Sequence, residues 1–595
     1  MMTKQRRMGS HSEQKKKSGR VRRVTWPHLP EAADWDAWRD YLSARDPMPD
    51  LAQLAGQSTT HPLKWAVPDH YADLPSPRLL KQLTRLATGH RIPAHTAAGL
   101  LRDWLPQAQS RANDPVWALE CLAWCHLLPT LIEVLPVDAW RAAYQELFSA
   151  VEASAGLSLH DDPVRHQLLQ AELAFALAYQ FPELVECRAL ITPGMRAASF
   201  AIAELMDGEG VPHAAYVSEF RSLLACWTRC SLMASAKRWK WCDAPAGTQF
   251  EWAVRQALRL SRPDGSLILS RGSSGDWCPG LVLTALAEGG DRDDLRAAEE
   301  LLPRPVAEHH RRPTKSPVPS VHSEWGQVCL MRTQWSRKSP YFACLFHDGR
   351  LQSELATNGR VLWSGDVTPT LAVEGVSLEP RSSWTDSCWF SDEDVDYLEL
   401  EIDLQDGWQI QRQMLLARRD AFLLVADAVL GPQDAAVHYE AAYPLAEGIR
   451  FEPEPETRDG TFVNHGCLAA VLPLSLPEWR ATESTSSLNG DSGMLRLTHR
   501  DKIARMYLPL WFDLHPQRAR KQRTWRRLTV AERMVTQPAD VAVGYRIQSQ
   551  TAQWLVYRSL AACASRSVLG QNYVNEFAMA RFDTDGVVDE LIQIE

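Results

Sequence analysis

His213 and Tyr216 stand three residues apart in the stretch Met206-Asp-Gly-Glu-Gly-Val-Pro-His-Ala-Ala-Tyr216. An imidazole and a phenol are side chains that hand protons to and from a substrate. Pro212 suits the first turn of a helix, so the spacing predicts both groups on one face near a helix N-terminus, where the dipole favours an anion. Tyr216 also continues the apolar stripe Phe220, Leu223, Leu224, Trp227, so a core position with a bonded hydroxyl is the competing expectation. Asp207 and Glu209 lie in the same stretch, bracketed by Gly208 and Gly210. Two carboxyls there could act as the acid and base of a glycoside hydrolase, or could cap the next helix and fix the turn, leaving Glu209 to touch a ligand. His166 and Gln170, i and i+4 on a helix over 165–180, could face a carboxylate or simply solvent. Exposed indoles stack on sugar rings, and of the 23 Trp, Trp239, Trp241 and Trp277 fall near these stretches. The run Lys237-Arg-Trp-Lys240 suits an anionic, even sulfated, glycan, although a solvated basic helix end reads equally well.

Elements must position these groups. From Trp35 to Leu302 apolar residues recur at three- and four-residue spacing, and prolines such as Pro129, Pro136, Pro163 and Pro193 cut the stretch into many helices. Helical hairpins stacked into an array or closed ring are the natural architecture. Five prolines between Pro303 and Ser320 mark an extended linker. Beyond it the period becomes two, as in Tyr397 to Leu404 and Gln409 to Met414 around the turn Gln405-Asp-Gly407. The run Phe422 to Ala426 reads as a strand buried on both faces, and the whole half as antiparallel sheets in a sandwich or stack. The predicted organisation is a basic disordered arm over 1–27, a helical domain over 28–302, a linker over 303–320 and an antiparallel β domain over 321–595.

At 595 residues one core would have stopped growing, so at least two domains should meet at an interface, a common place for a ligand. Residues 1–23 hold nine Lys/Arg against Glu13, and subtracting that +8 from the net −9 leaves −17 on the remainder. An acidic body argues against nucleic acid as partner. No run of eighteen apolar residues suggests a membrane span and no export signal is visible, so a cytoplasmic protein is expected. The 12 Cys form no Cys-x-x-Cys pair, which suggests neither a zinc ribbon nor a disulfide scaffold; Cys226 and Cys230 read as small buried hydrophobes. Phosphate loops and His-Glu-x-x-His zinc helices are absent from the sequence. No metal site is predicted, and no oligomeric state follows from the chain.

Four stretches, in order, resemble the heparinase II/III-like family of polysaccharide lyases. They are Met206 to Tyr216; Arg262-Pro-Asp-Gly-Ser266 with Gly275-Asp276; Phe346-His-Asp-Gly-Arg-Leu-Gln-Ser-Glu-Leu-Ala-Thr-Asn-Gly359; and Gln411-Arg-Gln413 through Val425-Ala-Asp427. The resemblance implies an incomplete (α/α) toroid followed by an antiparallel β-sandwich, and β-elimination of a uronic-acid polysaccharide in the interdomain cleft without a cofactor. That chemistry needs a carboxylate neutraliser, a base for the C5 proton and an acid for the leaving oxygen. Matched to the family turn, Ala214 and Ala215 stand where its catalytic Tyr and neighbouring His fall, so His213 and Tyr216 would be a displaced pair. His347 matches the second His of a His-x-His-x-Asp cluster whose first position here is Leu345 and whose acid falls early, at Asp348. It could reach the toroid's open end as base or neutraliser. The expected catalytic set is His213, Tyr216 and His347, with Glu209, His166, Gln170, Trp239, Lys240 and Trp277 against an acidic polysaccharide or oligosaccharide. A glycan-binding scaffold that lost catalysis, and a hydrolase using Asp207 and Glu209, are the rivals.

Overall fold

The computed structural model describes residues 24–56, 60–67, 82–83, 94–107, 115–270, 277–303, 316–582 and 587–595. Most of the basic arm, Gly275-Asp276 and the middle of the expected linker, 304–315, lie outside the described residues.

Between Ala32 and Leu301 the described elements are helices; from Val321 to Ile594 they are strands broken only by short 3-10 turns. The long helices Pro115–Leu127, Val137–Ala153, Ile191–Leu205, Phe220–Lys237 and Ala244–Arg259 share one core that buries Trp38, Trp124, Trp140 and Trp227. Phe220–Lys237 is buried on all sides over most of its length, as its mostly apolar and small side chains allow. It carries two buried arginines: Arg221, and Arg229, which is held bidentately by Glu172 at 2.5 and 2.7 Å. Glu172 comes from a composite helix: Pro163–His166, capped by the Asp162 side chain, runs through a π-helical Gln167–Leu173 into Ala174–Gln180. Cys226 and Cys230 are buried. No helix among the described residues is long and apolar enough to cross a membrane.

The strands form layers. Five antiparallel strands make the first sheet: β1 (Val321–Ser323), β2 (Val328–Arg332), β3 (Tyr341–His347), β4 (Arg350–Thr357) and β5 (Arg360–Asp366). Period-two alternation divides its side chains. Phe342, Cys344 and Phe346 pack with Leu398, Met414 and Leu508 of a large second sheet, while Leu330, Ala343 and Leu345 pack with Val211, Ala214, Val217 and Ile268 of the helical half. The second sheet's other face, with Tyr397, Phe422 and Trp511, meets a third sheet carrying Trp525, Trp554 and Phe577. The two predicted strands around Gln405-Asp-Gly407 appear as Val395–Asp403 and Gln409–Ala417, paired antiparallel. Their alternating polar side is sealed rather than wet, because the third sheet covers it. Gln413 there donates to the Tyr397 hydroxyl (2.8 Å) and accepts from Tyr507 (2.8 Å), and Arg558 pairs with Glu399 at 3.2 Å.

Candidate active site

One wall of the interdomain cleft is built by the turn after Leu205. Asp207 accepts the N–H groups of Glu209 and Val211, both at 2.9 Å, and a backbone bridge between Met206 and Pro212 closes the loop. Gly210, at φ +71°, lies so close to the backbone of Ala253 that a Cβ would stand 2.4 Å from its nitrogen. The chain then crosses to the sheet half, where the Ala214 N–H donates to the Gly326 carbonyl at 2.7 Å. Extended backbone at His213 serves that crossing (φ −60°, ψ 145°), so the expected helical turn is replaced by a single 3-10 turn, Ala214–Tyr216, and the long helix starts only at Phe220. His213 caps the short turn, its Nδ1 accepting the Ala215 N–H at 3.2 Å.

The β3–β4 hairpin forms the facing wall. Asp348 (φ +52°) and Gly349 (φ +69°) make a two-residue turn of the kind Asp-Gly favours, which sets His347 directly opposite Arg350. Leu345, His347, Arg350 and Gln352 therefore share a face, and with Ala214, Ala215, Ser218 and the base segment Leu267–Ser270 they line a cavity of about 560 Å³.

Beside this cavity the His213 and His347 rings meet edge to face at 4.9 Å, and His213 lies 6.0 Å from the Tyr216 ring. With Nδ1 engaged by a backbone donor, neutral His213 carries its proton on Nε2. Nδ1 of His347 lies 2.8 Å from Oε1 of Gln327 and Nε2 lies 3.1 Å from the Asp348 carboxylate, two acceptors that together suit the doubly protonated imidazolium. The Tyr216 hydroxyl contacts Nδ1 of His160 at 2.9 Å. Burial, aided by the charge of His347 and opposed by Asp348, holds the His213 imidazole below the usual histidine value. Burial also raises the Tyr216 phenol, with the carboxylates of Glu219 and Asp161 acting in the same direction. Burial, with Asp162 second, pushes Glu219 up to about 7.

The other expected residues lie elsewhere. The Glu209 carbonyl accepts from Gln256 of the helix Ala244–Arg259 at 2.8 Å, and neither Glu209 nor Asp207 lines the cavity. His166 is buried beside Gln167 (3.0 Å), held below the usual value by burial, while Gln170 is half-buried on the same composite helix. Trp239 and Lys240 follow the C-terminal end of the 18-residue helix Phe220–Lys237, about 27 Å along its axis from the end that follows the 3-10 turn Ala214–Tyr216. Trp277 lies flat on Gly265, in the loop leading to the cleft's base, and packs on the helical core. Four cleft residues were not picked out from sequence: His160, Gln327, Arg350 and Trp325. Trp325, 49% exposed in the β1–β2 turn, stands edge to face with His213 at 5.5 Å.

No family model and no curated protein matches the sequence. Solved structures do match. A heparan sulfate lyase, HepC from Pedobacter heparinus, aligns over 89% of this chain and 94% of its own with a TM-score of 0.53 at 13% identity. A heparinase III gene product aligns over 89% and 95% (TM-score 0.59, 9% identity), and a further heparinase III over 92% and 95% (TM-score 0.56, 10% identity). The chain thus has the fold of a polysaccharide lyase, an incomplete toroid of helices followed by stacked antiparallel sheets. Within that class it is the heparinase-like arrangement.

Proposed function

We propose that this chain binds a uronate-containing acidic polysaccharide or oligosaccharide in the cleft between its helical half and first sheet and cleaves it by β-elimination. The observation that carries this reading is the clustering of His213 and Tyr216 with His347, from two halves of the chain, around an exposed indole and beside the cavity that His347 lines. Trp325 offers a sugar-stacking face. In its neutral form His347 takes the C5 proton on Nε2, and Asp348 then accepts from the imidazolium so formed. His213, neutral with its proton on Nε2, donates to the carboxylate as negative charge develops there. Tyr216, kept protonated, delivers a proton to the leaving oxygen, and His160 holds its hydroxyl in place. Elimination consumes neither water nor redox equivalents, so the reading calls for no cofactor.

The test is the ultraviolet absorbance of unsaturated uronate during incubation with a panel of uronic-acid glycans. Wild type should generate it, and His213→Ala, Tyr216→Phe and His347→Ala should abolish it. A second reading, glycan binding without cleavage, is favoured by Ala214 and Ala215, which bring no proton-transferring side chain to the cavity. Silence across the panel from folded protein that still binds one glycan would select it. Hydrolysis by Asp207 and Glu209 is disfavoured, since the first is committed to its turn and neither lines the cavity.

A further inference from the structure

Proton transfer leaves one charge in the cleft without a task. Arg350 is exposed, flanks the Asp348-Gly349 turn and faces His347 across the ladder. Paired positions of this kind have Cβ atoms about 5 Å apart on one face, so a guanidinium here reaches a sugar seated on the imidazole, or its immediate neighbour. Among the described residues no carboxylate is paired with Arg350, whereas the arginines behind the cleft are committed. Arg262 is held by Glu354 at 2.6 Å, Arg221 donates to Ser261 at 2.9 Å, and Arg332 donates to the carbonyls of Arg259 and Ser261 at 3.2 and 3.1 Å. Among the described residues the one acid in the cavity lining, Asp348, faces His347 instead. Gln352 continues the same face, and Ser218 exposes its hydroxyl from the opposite wall. Ala214 and Ala215 leave the space between these groups open.

We propose that Arg350, with Gln352 and Ser218 beside it, forms an oxyanion subsite that receives a carboxylate or sulfate of the acidic glycan and so selects which sugar lies next to His347. The inference rests on the glycan reading of this cleft. A guanidinium presents a planar fork that matches an oxyanion through two parallel hydrogen bonds, and such charged bonds are the strong ones. Lysine would supply the charge without the fork.

The experiment is binding of fluorophore-labelled tetrasaccharides to the full chain, read by polarisation within seconds of mixing, with product absorbance followed in parallel. Three probes serve: a heparan sulfate tetrasaccharide, its desulfated form, and a desulfated, carboxyl-reduced form. Arg350→Ala should weaken an anionic probe about tenfold or more and leave the neutral probe unchanged; Arg350→Lys should recover part of the loss. Loss for the sulfated probe alone identifies the oxyanion as sulfate, and equal loss for both anionic probes identifies it as carboxylate. Anionic probes bound equally by wild type and Arg350→Ala would overturn the subsite while leaving the lyase reading intact. Failure of wild type to bind or cleave any anionic probe would overturn both.

Discussion

Strand β4 presents Arg350, Gln352 and Glu354 on one face, all toward the helical half, yet the two ends of that row live in opposite surroundings. At Glu354 the halves are sealed together. Its carboxylate is fully buried and accepts five donors: two from Arg262 (2.8 and 2.6 Å), the Tyr341 hydroxyl (2.6 Å), the Leu269 N–H (3.0 Å) and the Ser364 hydroxyl (2.8 Å). Four residues earlier, about 13 Å along the strand, Arg350 stands exposed at the cleft rim. The saturated end fixes the relative position of the two walls, and that lets the other end keep its polar groups unspent for a ligand. Rigid support behind a sparsely bonded constellation is what a binding or reacting site needs.

The sharpest way to break this contrast is to empty the seam. Glu354→Ala leaves the half-buried Arg262 guanidinium without its carboxylate and should cost about 3–5 kcal/mol in denaturant unfolding, whereas Arg350→Ala should stay within about 0.5 kcal/mol of wild type. Similar costs for the two would mean that the halves are joined by something other than this carboxylate. At the cleft end the order should invert: His347→Ala should lower elimination by about 10²–10⁴-fold while shifting stability by less than about 1 kcal/mol.

Finer still is the titration of His213 by NMR. Its midpoint should lie below the usual histidine value; His347→Ala should move it up and Asp348→Asn down, neither restoring the ordinary value because burial is the larger cause. The smallest effect concerns Glu219. Its folded value, about 7, exceeds that of an unfolded glutamate, near 4.3, so its carboxyl weakens the fold progressively as pH rises between the two and most above 7. Glu219→Gln should therefore gain melting temperature relative to wild type at pH 8 but not at pH 4, and should lower the Tyr216 titration by removing one of the carboxylates that raise it.

Much of this was legible in the chain. The prolines of 303–320 separate helical from period-two patterning, and both Asp348-Gly349 and Asn358-Gly359 form the tight turns their sequences dictate, each with two residues at positive φ. His213, Tyr216 and His347 were identifiable by residue type and by resemblance, though their distances were not. The helical turn expected at His213 failed because an interdomain hydrogen bond at Ala214 overrides what Pro212 favours locally. Trp239 and Lys240 illustrate a different point: closeness in sequence does not survive a long helix lying between two residues. Trp325 had no signal, since only packing distinguishes an exposed indole from buried ones. Arg350 did have one, because a two-residue Asp-Gly turn makes its flanking residues partners.

The π-helical turn at Gln167–Leu173 bears on how such a cleft can be altered over generations. A π turn amounts to an α-helix that has taken in one extra residue, which rotates everything before it by about 100° relative to an unbroken helix. Asp162, at the rotated end, influences Glu219 beneath the cleft, while Glu172 inside the turn still reaches Arg229 in the core. A single inserted or deleted codon in this stretch is thus enough to re-aim one rim of the cleft, a larger functional step than most substitutions can take, with the packing behind it left largely as it was.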